Sequence, residues 1–329
     1  MAADTGNLLS VENLSVHFHG EEETARAVEG VSFEVRRREN VCLVGESGCG
    51  KTVSALAVMG LIPCPPGRVT GERILFAGQD LLLLDDAAME AVRGRKIGMV
   101  FQEPLTSLNP VLTIGEQIAE PLRIHTTLGA AEIRTTTARL LQDVGIDRPA
   151  ERLNDYPHQL SGGQRQRVMI AMALACGPDL LIADEPTTAL DVTIQAQILK
   201  LITQLQAARD MAVLYITHDL GVVSQIADRV YVMYAGLIVE HGPVAAILRD
   251  PRHPYTQALL ASLPHRRKRG TRLHSIPGAV PHPAHKPPGC PFHPRCARAI
   301  AVCRIEFPDL CRFSDSHAAR CPVAAGRWS

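Results

Sequence analysis

Residues 41–62, VCLVGESGCGKTVSALAVMGLI, constrain the fold more than any other stretch of the chain. The apolar run VCLVG is typical of a short buried strand, and VSALAVMGLI has the length and composition of a helix. Between them, GESGCGKT fits the pattern G-x-x-x-x-G-K-[ST], in which glycines let backbone N–H groups curl around phosphate oxygens. A strand, a glycine-rich loop and a helix in succession predict an α/β fold that binds phosphate at the start of the helix.

The residues of this phosphate loop have distinct predicted roles. Lys51 would neutralise the β- and γ-phosphates of a nucleotide, and the Thr52 hydroxyl would ligate Mg²⁺. The dinucleotide-binding pattern does not fit, because Val53 stands where its third glycine would fall. A glycine-rich turn that merely opens a helix is the plainer alternative. The predicted nucleotide contacts are Gly45, Glu46, Ser47, Gly48, Cys49, Gly50, Lys51, Thr52 and Val53.

Two further apolar runs predict buried strands, LLIAD at 180–184 and AVLYITHD at 212–219. Continuous runs of this length suit a parallel sheet that is covered on both faces. The first run continues into the acids of LLIADEP, and ligands of open α/β sheets bind at the carboxyl ends of strands. Asp184 can therefore hold Mg²⁺, and Glu185 can polarise an attacking water as general base. Solvated acids at a strand end are the alternative.

QLSGGQRQRV, residues 159–168, allows two interpretations that do not conflict. Ser161 and Gln164 form the S-x-x-Q pattern of a capping box, which predicts the start of a helix. The two glycines after the serine also leave a positively polarised helix end on which a second phosphate can sit. A second anion site needs an explanation, because the phosphate loop already accounts for the nucleotide.

The length of 329 residues exceeds the roughly 250 to 300 at which one core stops growing, so a large domain and a smaller unit are expected. Between about 104 and 177 the sequence is helical in character, and 274–289 is dense in Pro, Gly and His, which favours an irregular segment. A net charge of zero removes the main argument for a nucleic-acid partner. The basic run at 266–269 is interpreted as a solvated linker.

The cellular compartment of the protein decides whether its cysteines can form stable disulfides. The N-terminal residues lack a secretory signal, and the longest charge-free run, 52–67, is broken by three prolines, so a cytosolic protein without a membrane span is expected. Stable disulfides are rare in the reducing cytosol, and the cysteine count of nine is odd. A fully paired disulfide framework is therefore the weakest interpretation of these cysteines.

Six segments together resemble the nucleotide-binding subunit of ABC transporters in order and spacing: GESGCGKT, FQEP, LSGGQRQRV, LLIADEP, TALD and YITHD. The resemblance covers residues 8 to about 245 and implies a domain over 1–245. Its implied fold is that of P-loop NTPases, a RecA-like core with an antiparallel β subdomain and an inserted helical subdomain at about 104–177. In that family two domains face each other head to tail, and the LSGGQ segment of one closes on the nucleotide of the other. This arrangement explains the second anion site.

The resemblance also assigns roles to single residues. Gln102 would join the Mg²⁺ and the water and couple the site to membrane subunits, and His218 would contact the γ-phosphate and orient the water. Asp191 would link the two sites across the dimer. Phe18 stands where the family stacks adenine on an aromatic residue, usually Tyr. The contacts made in trans would come from Ser161, Gly162, Gly163 and Gln164.

Cys49 departs from the family pattern, in which Ser is common at this position. A thiol at a helix N-terminus beside Lys51 can have a lowered pKa. The sequence therefore suggests a reactive cysteine that ATP would protect from thiol reagents. An inert small residue in a tight loop is the alternative.

The C-terminal residues resemble the extension of ATPase subunits that serve peptide and nickel importers, and HPYTQALL within RHPYTQALLASLP (252–264) is the most specific part. The resemblance covers about 246–329. It implies ATP-driven uptake of peptides or a related solute, and a peripheral location on the cytoplasmic face of the inner membrane. The implied partners are a second ATPase subunit, identical or different, two transmembrane permease subunits, and a periplasmic or extracellular substrate-binding protein.

Four of the five cysteines in 289–321 follow the spacing C-x5-C-x6-C-x17-C: Cys290, Cys296, Cys303 and Cys321. Zinc sites usually contain a pair two to four residues apart, and this set contains none. In the extensions that the chain resembles, cysteines in this pattern are associated with a [4Fe–4S] cluster. A zinc site is the remaining alternative, and it includes a mixed Cys/His site with the histidines at 282, 285, 293 and 317. Cys311 has no assigned role.

Two rival functions follow from the same motifs. A soluble ABC ATPase acting on nucleic acid or ribosomes usually has two nucleotide domains in one chain or a long coiled-coil insertion, and this sequence shows neither. A metal-dependent redox sensor with a vestigial ATPase is disfavoured because the residues of the ATPase site are intact: Lys51, Glu185, Ser161 and His218. The importer subunit is the leading hypothesis.

Overall fold

The computed structural model of the chain describes residues 6–188, 190–263 and 275–326, so the basic run at 266–269 lies outside the described residues. The chain combines strands and helices in one α/β arrangement, which confirms the predicted fold class. The strands are β1 (Asn7–His19), β2 (Thr24–Arg36), β3 (Asn40–Val44), β4 (Gly67–Thr70), β5 (Arg73–Phe76), β6 (Gln79–Asp80), β7 (Ile97–Val100), β8 (Leu180–Asp184), β9 (Ala212–Thr217), β10 (Arg229–Tyr234), β11 (Leu237–Pro243), β12 (Cys311–Ser314) and β13 (His317–Ala319).

Most of the helices begin at a residue whose side chain caps the helix or at a proline. They are α1 (Lys51–Val58), α2 (Asp86–Glu90), α3 (Pro104–Ser107), α4 (Ile114–His125), α5 (Ala130–Asp143), α6 (Pro149–Arg152), α7 (Gly162–Ala173), α8 (Val192–Arg209), α9 (Leu220–Ile226), α10 (Val244–Arg249) and α11 (Pro254–Ala261). Short 3-10 turns occur at Leu81–Leu83, Pro157–Gln159, His293–Arg295 and Ala301–Arg304. In the part of the chain that the structure describes, no helix is both long and apolar enough to cross a membrane.

The chain divides into two compact units. The first unit contains the described parts of Met1–Val35, Asn40–Leu82 and Ile216–Ser329, and the second contains Arg36–Glu39 and Leu83–Tyr215. The phosphate loop and the C-terminal extension thus belong to the same unit. The domain boundary predicted near residue 245 stays a prediction.

The first unit contains two sheet regions. In one, β1 pairs antiparallel with β4 and β5, and the strand order is β2-β1-β5-β6. In the other, the order is β12-β13-β11-β10-β3, and β10 pairs in parallel with β3, with Tyr231 opposite Leu43. The parallel pair carries the phosphate loop at the end of β3, and the extension adds β12 and β13 at the opposite edge.

The second unit contains the helical stretch that the sequence predicts after Pro104. Helices α3 to α7 fill the chain between β7 and β8, and these two strands pair in parallel, with Met99 opposite Ile182. Every residue of β8 and of β9 is buried, which confirms the prediction from their continuous apolar runs. Helix α5 buries a stripe at helical spacing, which explains its position: Ile133, Thr137, Leu140 and Leu141.

The carboxylate of Glu240 in β11 is fully buried and fixes the extension to the sheet. It accepts hydrogen bonds from the backbone N–H groups of Arg252 (2.6 Å) and His253 (2.9 Å), and from Nε2 of His317 in β13 (2.8 Å). A buried carboxylate is stable only when such donors satisfy it. One side chain thus ties together the start of α11 and the strand β13.

His253 supplies a pH dependence of stability. It is buried, its Nδ1 accepts the N–H of Tyr255 at the start of α11, and burial lowers its pKa to about 3. Between about pH 3 and the ordinary value of about 6.5, the unfolded chain therefore binds more protons at this position than the folded chain. The free energy of unfolding should fall as the pH decreases through this window, by up to about 1.4 kcal/mol per pH unit.

Denaturant unfolding at a series of pH values measures this slope. Asn caps helices as well as His does here but does not titrate, so His253→Asn should be less stable at pH 7 and should show a smaller slope between pH 6.5 and 4. An unchanged slope in the variant would contradict the assignment to His253.

Candidate nucleotide site and cysteine cavity

The phosphate loop connects β3 to α1 and passes close to neighbouring strands. A Cβ at Gly45 would lie 2.1 Å from the carbonyl oxygen of Met233, and one at Gly50 would lie 2.6 Å from that of Ala27. Gly50 also has a φ of 103°, in the left-handed region that favours glycine. Both glycines of the sequence pattern are therefore required by close backbone contacts.

Lys51 opens α1 and is almost completely buried. Its Nζ donates hydrogen bonds to the carbonyl oxygens of Gly45 (2.9 Å) and Glu46 (3.0 Å). The ammonium group thus lies against the loop that precedes it, while Ser47 and Gly48 are exposed at the loop's surface and Thr52 and Val53 are half-buried. The loop combines one fixed positive charge with a helix N-terminus, and this combination binds phosphate.

The structure contradicts the reactive-thiol hypothesis for Cys49. Its side chain is fully buried, and burial raises the pKa of the thiol. The nearby Lys51, with Nζ 3.8 Å from Sγ, opposes this shift but does not outweigh the loss of solvent. Cys49 therefore fills space beneath the loop as a small inert residue.

The predicted acids lie at the end of β8 in the second unit. Asp184 is 2% exposed, and Glu185 follows with a φ of 44°, an uncommon backbone conformation that non-glycine residues adopt mainly where the surroundings hold them. Oε2 of Glu185 accepts a hydrogen bond from Oγ1 of Thr188 (2.7 Å) and one from Nε2 of Gln102 (3.4 Å). The structure thus brings Gln102 and Glu185 together, and it adds Thr188, which the sequence reasoning missed.

The LSGGQ segment forms the capping box that the sequence predicts. Oγ of Ser161 accepts the N–H of Gln164 (3.3 Å), and Oε1 of Gln164 accepts the N–H of Ser161 (2.9 Å). Gly162 and Gly163 form the first turn of α7, and a Cβ at Gly163 would lie 2.9 Å from Cγ2 of Ile194. The helix start is therefore bare of bulky side chains, as an anion-binding surface requires.

Three other predicted residues lie at the ends of elements. Asp191 is exposed and caps α8 by accepting the N–H groups of Thr193 and Ile194, both at 3.0 Å. His218 is exposed directly after β9. Phe18 is half-buried near the end of β1, opposite Gly67 in β4. Ends of strands and starts of helices are where side chains reach a ligand without disturbing the core.

All five C-terminal cysteines line one cavity of about 130 Å³. Burial, together with the smaller effect of the neighbouring thiols of Cys303, Cys296 and Cys321, raises the pKa of Cys290 to about 11. Burial also raises the pKa values of Cys296 and Cys321. The four cysteines with the predicted spacing thus lie close together around one cavity. Cys311 lines the same cavity, which the sequence did not indicate.

The histidines proposed for a mixed site separate into two groups. His293 lines the cysteine cavity, and its Nδ1 lies 2.9 Å from the carbonyl oxygen of Cys290. His282 and His285 instead lie with the carboxylate of Glu23, and all three are exposed. His317 bonds to Glu240. Of the four, only His293 borders the cavity in the described chain, so the structure contradicts the wider mixed Cys/His set.

The extension also contacts the phosphate loop, which no sequence motif indicated. Oη of Tyr255 accepts the N–H of Glu46 (2.9 Å). Arg295, between Cys290 and Cys296 of the cavity, donates two hydrogen bonds to the carboxylate of Glu46. Tyr255 lies in HPYTQALL and Arg295 in GCPFHPRC, whereas their common partner Glu46 lies 209 and 249 residues away in sequence.

Two family models match the chain. One, described as "ABC transporter", matches residues 28–188, and the other, "Oligopeptide/dipeptide transporter, C-terminal region", matches residues 239–303. Among solved structures, a dimeric ATP-binding cassette in a post-hydrolysis state with ADP and Pi is similar at a TM-score of 0.65 and 28% identity, over 72% of this chain and 98% of that one. The cassette cbiO1 of Clostridium perfringens is similar at 0.64 and 26%, over 74% and 92%.

Fold and site together define an ATPase of the ATP-binding cassette class, with the P-loop NTPase fold that the sequence predicts. Curated relatives narrow the class. The dipeptide transport ATP-binding protein DppD of Escherichia coli is 51% identical over 95% of this chain and 96% of its own length, and that of Bacillus subtilis is 50% identical over 95% and 94%. A probable peptide ABC transporter ATP-binding protein of Sinorhizobium fredii is 52% identical over 95% and 94%. The chain belongs to the ABC transporter ATP-binding proteins that carry the oligopeptide/dipeptide transporter C-terminal region.

Proposed function

We propose that this chain binds and hydrolyses ATP to power the uptake of peptides, or of a related solute such as a nickel chelate, through an ABC importer. The observation that carries the proposal is the union, in one compact unit, of a phosphate loop with an oligopeptide-transporter C-terminal region that touches it. The relatives named for dipeptide transport match almost the full length of the chain, which supports the same cargo class.

The site residues divide the work of phosphoryl transfer. Lys51 binds the nucleotide phosphates, and Phe18 stacks on adenine. Thr52, Asp184 and Gln102 would hold Mg²⁺, which would supply charge neutralisation for the phosphates. Glu185 accepts a proton from the attacking water, and the hydrogen bond from Thr188 fixes which way its carboxylate points. His218 orients the water, and Ser161, Gly163 and Asp191 act across the dimer.

The importer assignment implies an assembly. A second ATPase subunit, identical or different, completes each nucleotide site with its LSGGQ segment. Two permease subunits span the membrane, and a substrate-binding protein outside the cell delivers the solute. Hydrolysis then opens a dimer that ATP holds closed, and a ligand shifts such an equilibrium only as far as it binds one state more tightly. The chain would lie peripherally on the cytoplasmic face of the inner membrane.

Copurification tests the assembly. The tagged chain, extracted from detergent-solubilised membranes, should recover permease subunits and, if the dimer is mixed, a second ATPase. Recovery of ribosomal or DNA-repair proteins in place of permeases would support the rival soluble ATPase and overturn the importer proposal.

Glu185→Gln tests the base. Gln keeps the size and hydrogen-bonding shape of the side chain but cannot accept the proton, so ATP binding and dimer closure should persist. Turnover should fall at least about 100-fold. Steady-state ATPase assays and gel filtration with ATP measure the two effects. Glu120→Gln, on the exposed face of α4, is the matched control and should hydrolyse normally. Near-normal turnover in Glu185→Gln would remove Glu185 as the base.

A metal centre in the extension is the second part of the proposal. Cys290, Cys296, Cys303 and Cys321 share one cavity, which supports their role as thiolate ligands of a [4Fe–4S] cluster. Among the described residues, no three cysteine sulfurs all lie within 4.8 Å of one another. The binding free energy would stabilise a segment with little regular structure.

Anaerobic purification tests the cluster. A broad absorbance at roughly 400 nm, with iron and sulfide bound, is expected for the unmodified chain. Cys296→Ser should lose both the colour and the iron, whereas Cys176→Ser, in the second unit, should keep them. Cys311→Ser should keep them as well, because Cys311 is outside the predicted ligand set. Stoichiometric zinc without colour would overturn the assignment.

A further inference from the structure

We propose that Arg295 is a positioning residue for ATP binding: its guanidinium fixes Glu46, the second residue of the phosphate loop, and neutralises a carboxylate beside the nucleotide phosphates. The proposal rests on ATP hydrolysis at this loop. It gives the C-terminal extension a direct part in nucleotide binding, in addition to whatever metal it holds.

The contact has the geometry of a strong ion pair. Nη1 of Arg295 lies 2.7 Å from Oε2 of Glu46, and Nη2 lies 2.9 Å from Oε1, so the two groups meet as parallel forks. Nε donates to the carbonyl oxygen of Pro277 (2.8 Å), which fixes the plane of the guanidinium. The Arg295 side chain is only 5% exposed and lies 5.7 Å from the ring centre of Tyr234. The hydrogen bonds that the guanidinium donates to Glu46 raise the pKa of Arg295 above its usual range.

Glu46 is held at three of its groups. Its N–H donates to Oη of Tyr255, its carbonyl oxygen accepts from Nζ of Lys51, and its carboxylate accepts from Arg295. Lys51 is the residue that binds the nucleotide phosphates. Because the same residue anchors both Lys51 and Arg295, a displacement of Glu46 shifts the lysine and the neighbouring backbone N–H groups together.

Charge gives the second reason. The phosphate loop gathers positive charge for an anionic ligand, and a carboxylate at its second residue opposes that ligand unless a cation pairs with it. No other cation forms an ion pair with Glu46 in the described chain. Loss of the arginine would therefore leave a partly buried carboxylate unpaired next to the phosphates.

Arg295 belongs to the segment that carries the cysteines. It ends the short turn His293–Arg295 between Cys290 and Cys296, and the preceding Phe292 packs edge-on against Tyr234 and Tyr255 at centroid distances of 5.2 and 5.3 Å. Phe292 also lines the cysteine cavity. The order of the cysteine segment thus determines where the arginine lies, and through it the position of Glu46.

Kinetics of purified importer complexes carrying Arg295→Gln test the proposal. The KM for ATP should rise about tenfold while kcat changes less than about threefold, because the variant weakens phosphate binding and leaves the hydrolytic residues in place. Arg295→Lys keeps the charge but loses the fork, so its KM should rise less. Adding Glu46→Gln to Arg295→Gln should restore KM to within about threefold, since the unpaired charge is gone.

The rescue separates positioning from general stability, because a merely misfolded extension gains nothing from a neutral Glu46. Arg320→Gln is the matched control: Arg320 is another arginine of the extension, half-buried, but it donates to Ile238 and Pro308 instead of the loop. Its KM should stay at the unmodified value. If Arg295→Gln does not fold, Arg295→Lys with and without Glu46→Gln carries the same comparison.

Equal KM values in the unmodified complex and in both Arg295 variants would overturn the proposal, and so would a double variant as impaired as Arg295→Gln. An unmodified complex without ATPase activity would instead count against the proposed function itself.

Discussion

The structure of the first unit depends on how closely the phosphate loop packs against two strands. Gly45 lies so near the carbonyl of Met233 in β10, and Gly50 so near that of Ala27 in β2, that a single methyl group at either position would collide with backbone. The loop therefore cannot change its shape without moving β10 or β2. Because β10 pairs with β3 on one side and with β11 on the other, the geometry of the ATP site is fixed by the order of the whole sheet region.

This dependence explains why the C-terminal extension belongs to the ATP-binding unit. Glu240 in β11 holds the start of α11 and strand β13, and Glu46 in the loop is held from α11 and from the cysteine segment. Each of these carboxylates needs donors to offset its desolvation, and the extension supplies most of them. Extension and loop therefore stabilise each other through polar contacts. The extension has little apolar core, so burial alone could not supply this stabilisation.

The sequence predicted those parts of the site that depend on interactions between residues close together in the chain. The capping box of Ser161 and Gln164, the buried runs of β8 and β9 and the strand–loop–helix around Lys51 are each encoded within a few residues. The contacts of Arg295 and Tyr255 with Glu46 are not, because they join positions 249 and 209 residues apart. The hypothesis for Cys49 was wrong for a related reason. A helix N-terminus and a lysine are visible in sequence, but the burial that raises the thiol pKa is tertiary.

The cysteine cavity could be predicted in part from local sequence spacing and in part only from the tertiary structure. Spacing along the chain selects Cys290, Cys296, Cys303 and Cys321, yet only the folded chain shows that they face one space and that Cys311 borders it too. Phe292 lines that space and packs against Tyr234 and Tyr255. Tyr255 in turn accepts a hydrogen bond from the N–H of Glu46 in the phosphate loop. A continuous series of contacts therefore connects the cysteine cavity to the phosphate loop.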